Sequence, residues 1–408
     1  MRTALLCIAL AVLALPPSVD AQSLPLTESQ ALSRLSPDSP RLRAIRGAVD
    51  VARAEALGAA RWPNPRVIFD RESVAGVTEN ITMVGQTLPI TGRRGLEMQA
   101  ATALVGATSE RSNETIRRAR ADLRLAFAQL VAAQAREREL TAAGERLAEL
   151  ANILAKREAA GDAAGFDRLR AEREVLELEA DRSAASTERA RAQAILSSFF
   201  TDTTDTTQIL AVDQTAPPAP VPTLDALVER AESVRGELLA LRKDIDAAHF
   251  SARAADRRRM PEPEIVAGTK SSSAGTGDLG GVVTIQAVVP LFDRGRPERA
   301  LAVARASQAE AQIDAFRLAL RSEIAALRAT VLERRTSAAR YRATAVDGAG
   351  QIERIAQVSY EAGERGILEL LDAYRIGFSA RLRQVGLEFA VRQCELELEF
   401  VSGWEISE

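Results

Sequence analysis

His249 is the only histidine in the 408-residue chain, and Cys7 and Cys394 are its only cysteines. A zinc or copper centre needs several such ligands at short, regular spacing. Nucleophilic or acid–base catalysis needs a nucleophile beside a base, or two carboxylates that their spacing singles out. Neither pattern occurs, so the residue types predict no enzyme, no cofactor and no resident metal. The glycine-rich stretch SSSAGTGDLGG, Ser271 to Gly281, lacks the Lys-Ser/Thr ending of a phosphate-binding loop. It reads as a polar surface loop between two strands. His249 reads as an ordinary packed or solvated residue on a helix.

With 27% charged, 46% hydrophobic and only 4% aromatic residues, the chain is too long for one small domain and too aromatic-poor for an ordinary α/β enzyme. It predicts a mainly helical scaffold. The formal net charge is −3, so no concentrated basic surface argues for nucleic acid. Arginine far outnumbers lysine, which occurs only at Lys156, Lys243 and Lys270. Coding bias accounts for that, and no site is read from it.

The N-terminus is more informative. A positive start at Arg2, an apolar run from Ala4 to Leu15 and the small-residue pattern Val19-Asp20-Ala21 before Gln22 predict a secretory signal peptide over residues 1–21. Its apolar core falls short of the ~20 residues that span a bilayer. Cys7 leaves with the signal, so Cys394 has no disulfide partner within the chain, and no lipid-anchoring cysteine stands at the cleavage site. No later apolar run is long enough for a membrane helix. The mature protein is therefore soluble in the periplasm or inserted as β-structure.

The chain repeats itself at a distance of about 200 residues. WPNPRVIFDRES from Trp62 matches MPEPEIVAGTKS from Met260, TLPITGRRG from Thr87 matches VVPLFDRGR from Val288, and AAGDAAGFDRLRA from Ala159 matches EAGERGILELLDA from Glu361. This predicts a first repeat over 22–214, an extended Pro-rich linker over 215–223 (TAPPAPVPT) and a second repeat over 224–408.

Each repeat predicts helix, two strands, a very long helix and a shorter one. In the first, these cover Thr27 to Ala60 with a break at Pro37 to Pro40, Arg66 to Ser73, Asn80 to Ile90, Gly95 to Glu158 and Phe166 to Phe199. In the second they cover Leu224 to Arg259, Glu264 to Ser271, Gly281 to Leu291, Pro297 to Tyr360 and Ile367 to Trp404. Ile116, Leu123 and Leu130, then Leu140, Leu147 and Leu154, step by heptads, and Ile313, Phe316, Leu320, Ile324, Leu327 and Val331 continue the coiled-coil spacing. A helix of that length is roughly 100 Å long. An elongated bundle with a thin core follows, and oligomerisation would bury the remaining seams.

The strands alternate. Val283, Ile285, Ala287 and Val289 form an apolar face against Thr284 and Gln286, and Ile81 and Met83 alternate with Asn80 and Thr82. One apolar and one mixed face over about ten residues suits a tilted membrane strand. Four such strands cannot close a barrel, so several copies would have to pool them. Soluble hairpins capping a bundle are the other reading of the same alternation.

The signal peptide, the duplicated plan, the corner PLFDRGR at Pro290 to Arg296 and the stretch YEAGERGILELLDAYR at Tyr360 to Arg375 together resemble the TolC family of outer-membrane efflux proteins. Within it the chain looks most like the outer-membrane components of heavy-metal RND systems of the cobalt-zinc-cadmium type. The resemblance implies a fold that is mainly α with a membrane β-barrel part. Three chains would give four strands each to a twelve-stranded barrel in the outer membrane, and their helices would continue it as a tunnel into the periplasm. An inner-membrane RND pump and a periplasmic adaptor would feed this passive duct. By motif match, Tyr360, Arg365, Glu369 and Asp372 would hold the periplasmic entrance closed, and Gly161, Asp162, Gly363, Glu364 and Arg365 would meet the adaptor. Position 369 carries Glu where Asp is usual. A drug or type I secretion duct and a soluble periplasmic scaffold remain the alternatives.

Overall fold

The computed structural model describes residues 24–161, 165–201, 206–213 and 219–405. The proposed signal peptide lies outside the described residues. The first half of the chain runs β1 (Leu24–Leu26), α1 (Glu28–Ser33), α2 (Pro40–Ala59), β2 (Arg66–Val74), β3 (Val77–Thr87), α3 (Arg93–Ala159), α4 (Gly165–Ser197) and β4 (Ile209–Ala211). The second runs α5 (Leu224–Val234), α6 (Gly236–Arg257), β5 (Pro263–Ser272), β6 (Asp278–Ala287), α7 (Arg296–Tyr341), a π-helical turn at Arg342–Val346, α8 (Asp347–Glu361) and α9 (Ile367–Ser402).

The 67 residues of α3 make a rod about 100 Å long. It packs against α2 and α6 along one part and against α4 and α9 along the other. The leucines at heptad spacing are what it buries: Leu123, Leu130, Leu140, Leu147 and Leu154 are each at most 3% exposed. Apolar contacts gather in three successive clusters along the helices rather than in one central core. One joins α1 to α3 and the end of α4, one joins α5, α7 and the end of α9, and one joins the far half of α3 to α4 and α9.

Buried charge ties the first two clusters together. Arg124 on α3 pairs with Glu28 at the start of α1 and with Glu399 on α9. Arg392 reaches Glu28 at 2.7 Å, and Arg335 on α7 reaches Glu395 at 2.6 Å. Phe400 adds a ring that Arg117, Arg118 and Arg235 approach at 5.5, 4.9 and 5.2 Å.

The four long strands form one antiparallel sheet in the order β2-β3-β5-β6, leaving β2 and β6 as open edges. The register puts Val67, Phe69, Val84, Ile265, Val283, Ile285 and Leu279 on one face. That face is exposed: Val67, Phe69, Val283 and Ile285 range from 64% to 75%. The opposite face carries Asp70, Glu79, Lys270, Arg66 and Glu264, with Arg66–Glu264 and Lys270–Glu79 pairs at 2.7 and 2.6 Å. Ile81 and Met83 belong to this charged face, not to an outer apolar one as their alternation predicts. The sheet is crowded on that side, where Val266 is only 3% exposed, so apolar side chains find cover there. β3 and β6 also begin and end earlier than predicted, while β2 and β5 match their predicted spans to within a residue at each end. β3 stops before Pro89 and β6 before Pro290, because proline cannot supply a ladder hydrogen bond. The stretch from Ser271 is mostly strand, and only residues 273–277 turn.

From each hairpin the chain passes straight into a long helix through a glycine in the left-handed region, Gly92 (φ 75°) before α3 and Gly295 (φ 74°) before α7. Their carbonyls accept the first helical bonds, from Leu96 at 3.3 Å and Arg299 at 3.0 Å. These two glycines are the true counterparts at the corners. Aligning Thr87 with Val288 sets Gly92 against Asp293 instead, because the second corner holds more residues between strand end and helix start. The first corner bonds to the segment that enters the second hairpin: Thr91 donates to Glu262 at 2.7 Å, and Arg93 pairs with Glu262 at 3.4 Å.

Candidate functional site

At the end of α3 farthest from the sheet, the Gly161 N–H donates to the Glu158 carbonyl at 2.9 Å with φ at 82°. At the end of α8, Gly363 (φ 74°) donates to Tyr360 at 3.1 Å and Glu364 donates to Ser359 at 2.9 Å. That pair of bonds is a Schellman cap, which satisfies the last helical carbonyls and needs a left-handed residue at its centre. Gly366 and Gly165 do not use that freedom: Gly366 is extended (φ −83°) as the residue before α9, and Gly165 is not left-handed. Asp162 lies outside the described residues. Gly363, Glu364, Arg365 and Gly161 are all exposed at the tips.

Tyr360 is half-buried against the third apolar cluster, and Arg157 of α3 lies over its ring at 5.5 Å and donates to its hydroxyl at 3.4 Å. The structure thus brings Tyr360 to Arg157 rather than to Glu369 or Asp372. Those two carboxylates stand one turn apart on the exposed side of α9, and neither makes a hydrogen bond or ion pair among the described residues. Glu369 also sits in the first turn of α9, where the helix dipole favours a negative charge. Arg365 donates its backbone N–H to Ser359 at 3.3 Å, and its side chain is exposed without a charged partner among the described residues.

Other tip residues, unremarked in the sequence, hold the helices together. Arg375 on α9 reaches Glu174 on α4 at 2.6 Å, and Arg168 on α4 reaches Glu158 on α3 at 2.5 Å. Glu353 on α8 is held between Arg146 of α3 (3.3 Å) and Arg381 of α9 (3.0 Å). A Cβ at Gly377 would collide with the Glu353 carboxyl, so glycine lets α8 and α9 approach there. The Tyr374 hydroxyl donates to Gln357. Burial pushes this phenol above its usual range; Arg146 opposes the shift, and Glu353, Glu149 and Glu361 add to it. Only three tyrosines occur in the chain. Two of them flanking one glycine turn was the signal that could have marked this cluster.

No group of three or more potential ligands gathers among the described residues. Cys394 is buried, and burial pushes its thiol above the usual range. Among the described residues, no helix is long and apolar enough to cross a membrane.

An exposed apolar sheet face joined through glycine corners to 100 Å helices is the geometry to be matched, and residues 227–403 match the family model described as outer membrane efflux protein. The second half of the chain is thus similar to the outer membrane efflux proteins. The cobalt-zinc-cadmium resistance protein CzcC of Cupriavidus metallidurans is 24% identical over 386 residues, covering 93% of this chain and 90% of that protein. Among solved structures, a membrane protein from Pseudomonas aeruginosa superposes with a TM-score of 0.75 at 19% identity, covering 92% of this chain and 93% of the other. CusC, whose crystal structures concern transmembrane channel formation, also gives 0.75, at 16% identity over 93% and 92%. The fold is therefore that of the TolC-type efflux channels, a mainly helical chain carrying a small sheet. Members of this family are outer-membrane channels, not enzymes.

Proposed function

We propose that three copies of this chain close a twelve-stranded barrel in the outer membrane and that their helices extend it as a tunnel into the periplasm. The two predicted repeats would then supply one hairpin and one helical arm each. The observation that carries this reading is the four-stranded sheet with two open edges and an exposed apolar face. In lipid an open edge leaves backbone groups unpaired at several kcal/mol each, and pairing β2 of one copy with β6 of the next removes both edges. An adaptor docking at the Gly161 and Gly363 tips and an inner-membrane RND pump behind it would supply the substrate, with the chain itself a passive duct.

Heavy-metal cations are the proposed cargo. The likeness to the cobalt-zinc-cadmium resistance protein supports this, as do Glu369 and Asp372, exposed carboxylates with no ion-pair partner among the described residues. Three copies of each facing a narrow opening would concentrate cations. Deleting the gene should sensitise cells to cobalt, zinc or cadmium while leaving drug tolerance unchanged. Sensitivity to drugs alone would instead favour a drug-efflux duct.

In planar bilayers, the purified protein should conduct with cation preference. The double substitution Glu369→Gln, Asp372→Asn should lower that preference several-fold without lowering thermal stability. Unchanged selectivity would remove these residues from the entrance.

A further inference from the structure

Six arginines flank the two strand-to-helix corners without an ion-pair partner among the described residues: Arg61, Arg94, Arg257, Arg259, Arg294 and Arg296. The carboxylates of the same segments are already engaged. Asp256 pairs with Arg299 at 3.2 Å, Glu262 with Arg93 at 3.4 Å, Glu97 with Arg93 at 3.5 Å and Glu264 with Arg66 at 2.7 Å, while Asp293 and Glu298 share Arg258. Positive charge is thus concentrated in one narrow band of a chain whose overall formal charge is −3. Beside it stand exposed apolar side chains: Trp62, Ile90 and Leu291, and Phe292 at 99% exposure. Guanidiniums next to bare aromatic and aliphatic groups, at the end of an apolar strand face, match the level where acyl chains meet phosphates.

We infer that this band binds the headgroups of anionic phospholipids in the periplasm-facing leaflet, with arginine forks on phosphate oxygens and Phe292 and Ile90 among the acyl chains. The inference rests on the reading of the sheet as a membrane wall. In the proposed barrel the edges that meet would bring Arg61 beside β2 and Arg294 and Arg296 beside β6, and the acids nearest these corners, Glu262, Glu264, Asp293 and Glu298, already hold cations of their own chain.

The full chain, purified in detergent, can be mixed with vesicles of phosphatidylcholine alone or with added phosphatidylglycerol, beside the variant Arg61→Gln, Arg257→Gln, Arg294→Gln. Flotation and the thermal midpoint are the readouts. Phosphatidylglycerol should raise both for the native chain, and the advantage should fall about fivefold per arginine removed and shrink with added salt. The variant should float on phosphatidylcholine as the native chain does. A native chain indifferent to phosphatidylglycerol, or a variant that keeps the preference, overturns the inference. So does an equal gain in midpoint from inorganic phosphate, which would assign the band to a free anion. A native chain that floats on neither vesicle overturns the membrane wall as well, whereas flotation without lipid preference overturns only the headgroup site.

Discussion

Gly295→Ala should lower the stability of the protein by about 2–5 kcal/mol, while Gly92→Ala, at a glycine with nearly the same φ, should cost only about 1–2 kcal/mol. Both glycines start a long helix from the left-handed region, and an alanine pays the same conformational cost at either. Their surroundings differ. A Cβ at Gly92 would meet nothing within 4 Å, whereas at Gly295 it would run into the backbone oxygen of Ala255 and lie 3.2 Å from the Cβ of Arg258. A backbone carbonyl in the last turns of α6 cannot rotate out of the way as a side chain would. The added cost is therefore that of overpacking, and relieving it would shift α6 against α7 where the sheet meets the bundle. Thermal unfolding followed by the loss of helical circular dichroism compares the two variants directly. Equal losses would show that the Gly295 contact does not fix the corner.

The buried seams were legible because a helix hides every seventh residue from water over its whole length, and Leu123 to Leu154 follow that rule. The strand faces were legible only where charge marked them. In β6, Thr284 and Gln286 oppose Val283 and Ile285, and the pairing sets that polar side beside Val266 and Glu264. In β3, Ile81 and Met83 face Thr82 and Val84, and alternation of similar groups does not say which side is inside. Only the pairing with Lys270 and Gly268 decides it. Helix breaks had no local signal either. The predicted helix from Leu224 divides at Arg235, which is extended, and the next residue, Gly236, lies so close to α3 that a Cβ there would meet the Glu110 carbonyl at 2.5 Å, a contact between segments more than a hundred residues apart. The π turn at 342–346 interrupts the helix predicted to run to Tyr360 without proline or glycine. The parallel pair of β1 and β4 is three residues long on each side and joins segments far apart in the sequence that no periodicity connects.

At the tips, glycine spacing gave the turns because Gly161 and Gly363 need a backbone that other residues resist. The contacts that hold the tips were hidden, since Arg157 with Tyr360 and Glu353 with Arg146 and Arg381 each join distant helices. Glu369 and Asp372 are exposed, and no ion pair among the described residues fixes what they face.

Arg124→Gln should be the other large loss, about 3–5 kcal/mol, because it strips a shared cation from two carboxylates in a mostly buried network. Burial alone would push Glu28 above the usual carboxylate range, but Arg392 and Arg124 outweigh it and hold the group below that range. A carboxylate so lowered adds stability that is fully present above its unfolded value and is lost as pH falls through its folded value. The native protein should therefore lose stability on acidification below about pH 4. The variant, already deprived of one of Glu28's two cations, should be much less stable at neutral pH and should close part of the gap in acid, where protonating Glu28 relieves its exposure to the missing charge. Arg124→Lys should recover only part of the loss, because one ammonium cannot present a planar fork to Glu28 and Glu399 at once. Melting curves of the native chain and both variants from neutral to acid pH test this. A gap between native and Arg124→Gln that stays constant across that range would place the cost in packing of the arginine stem rather than in the charge it carries.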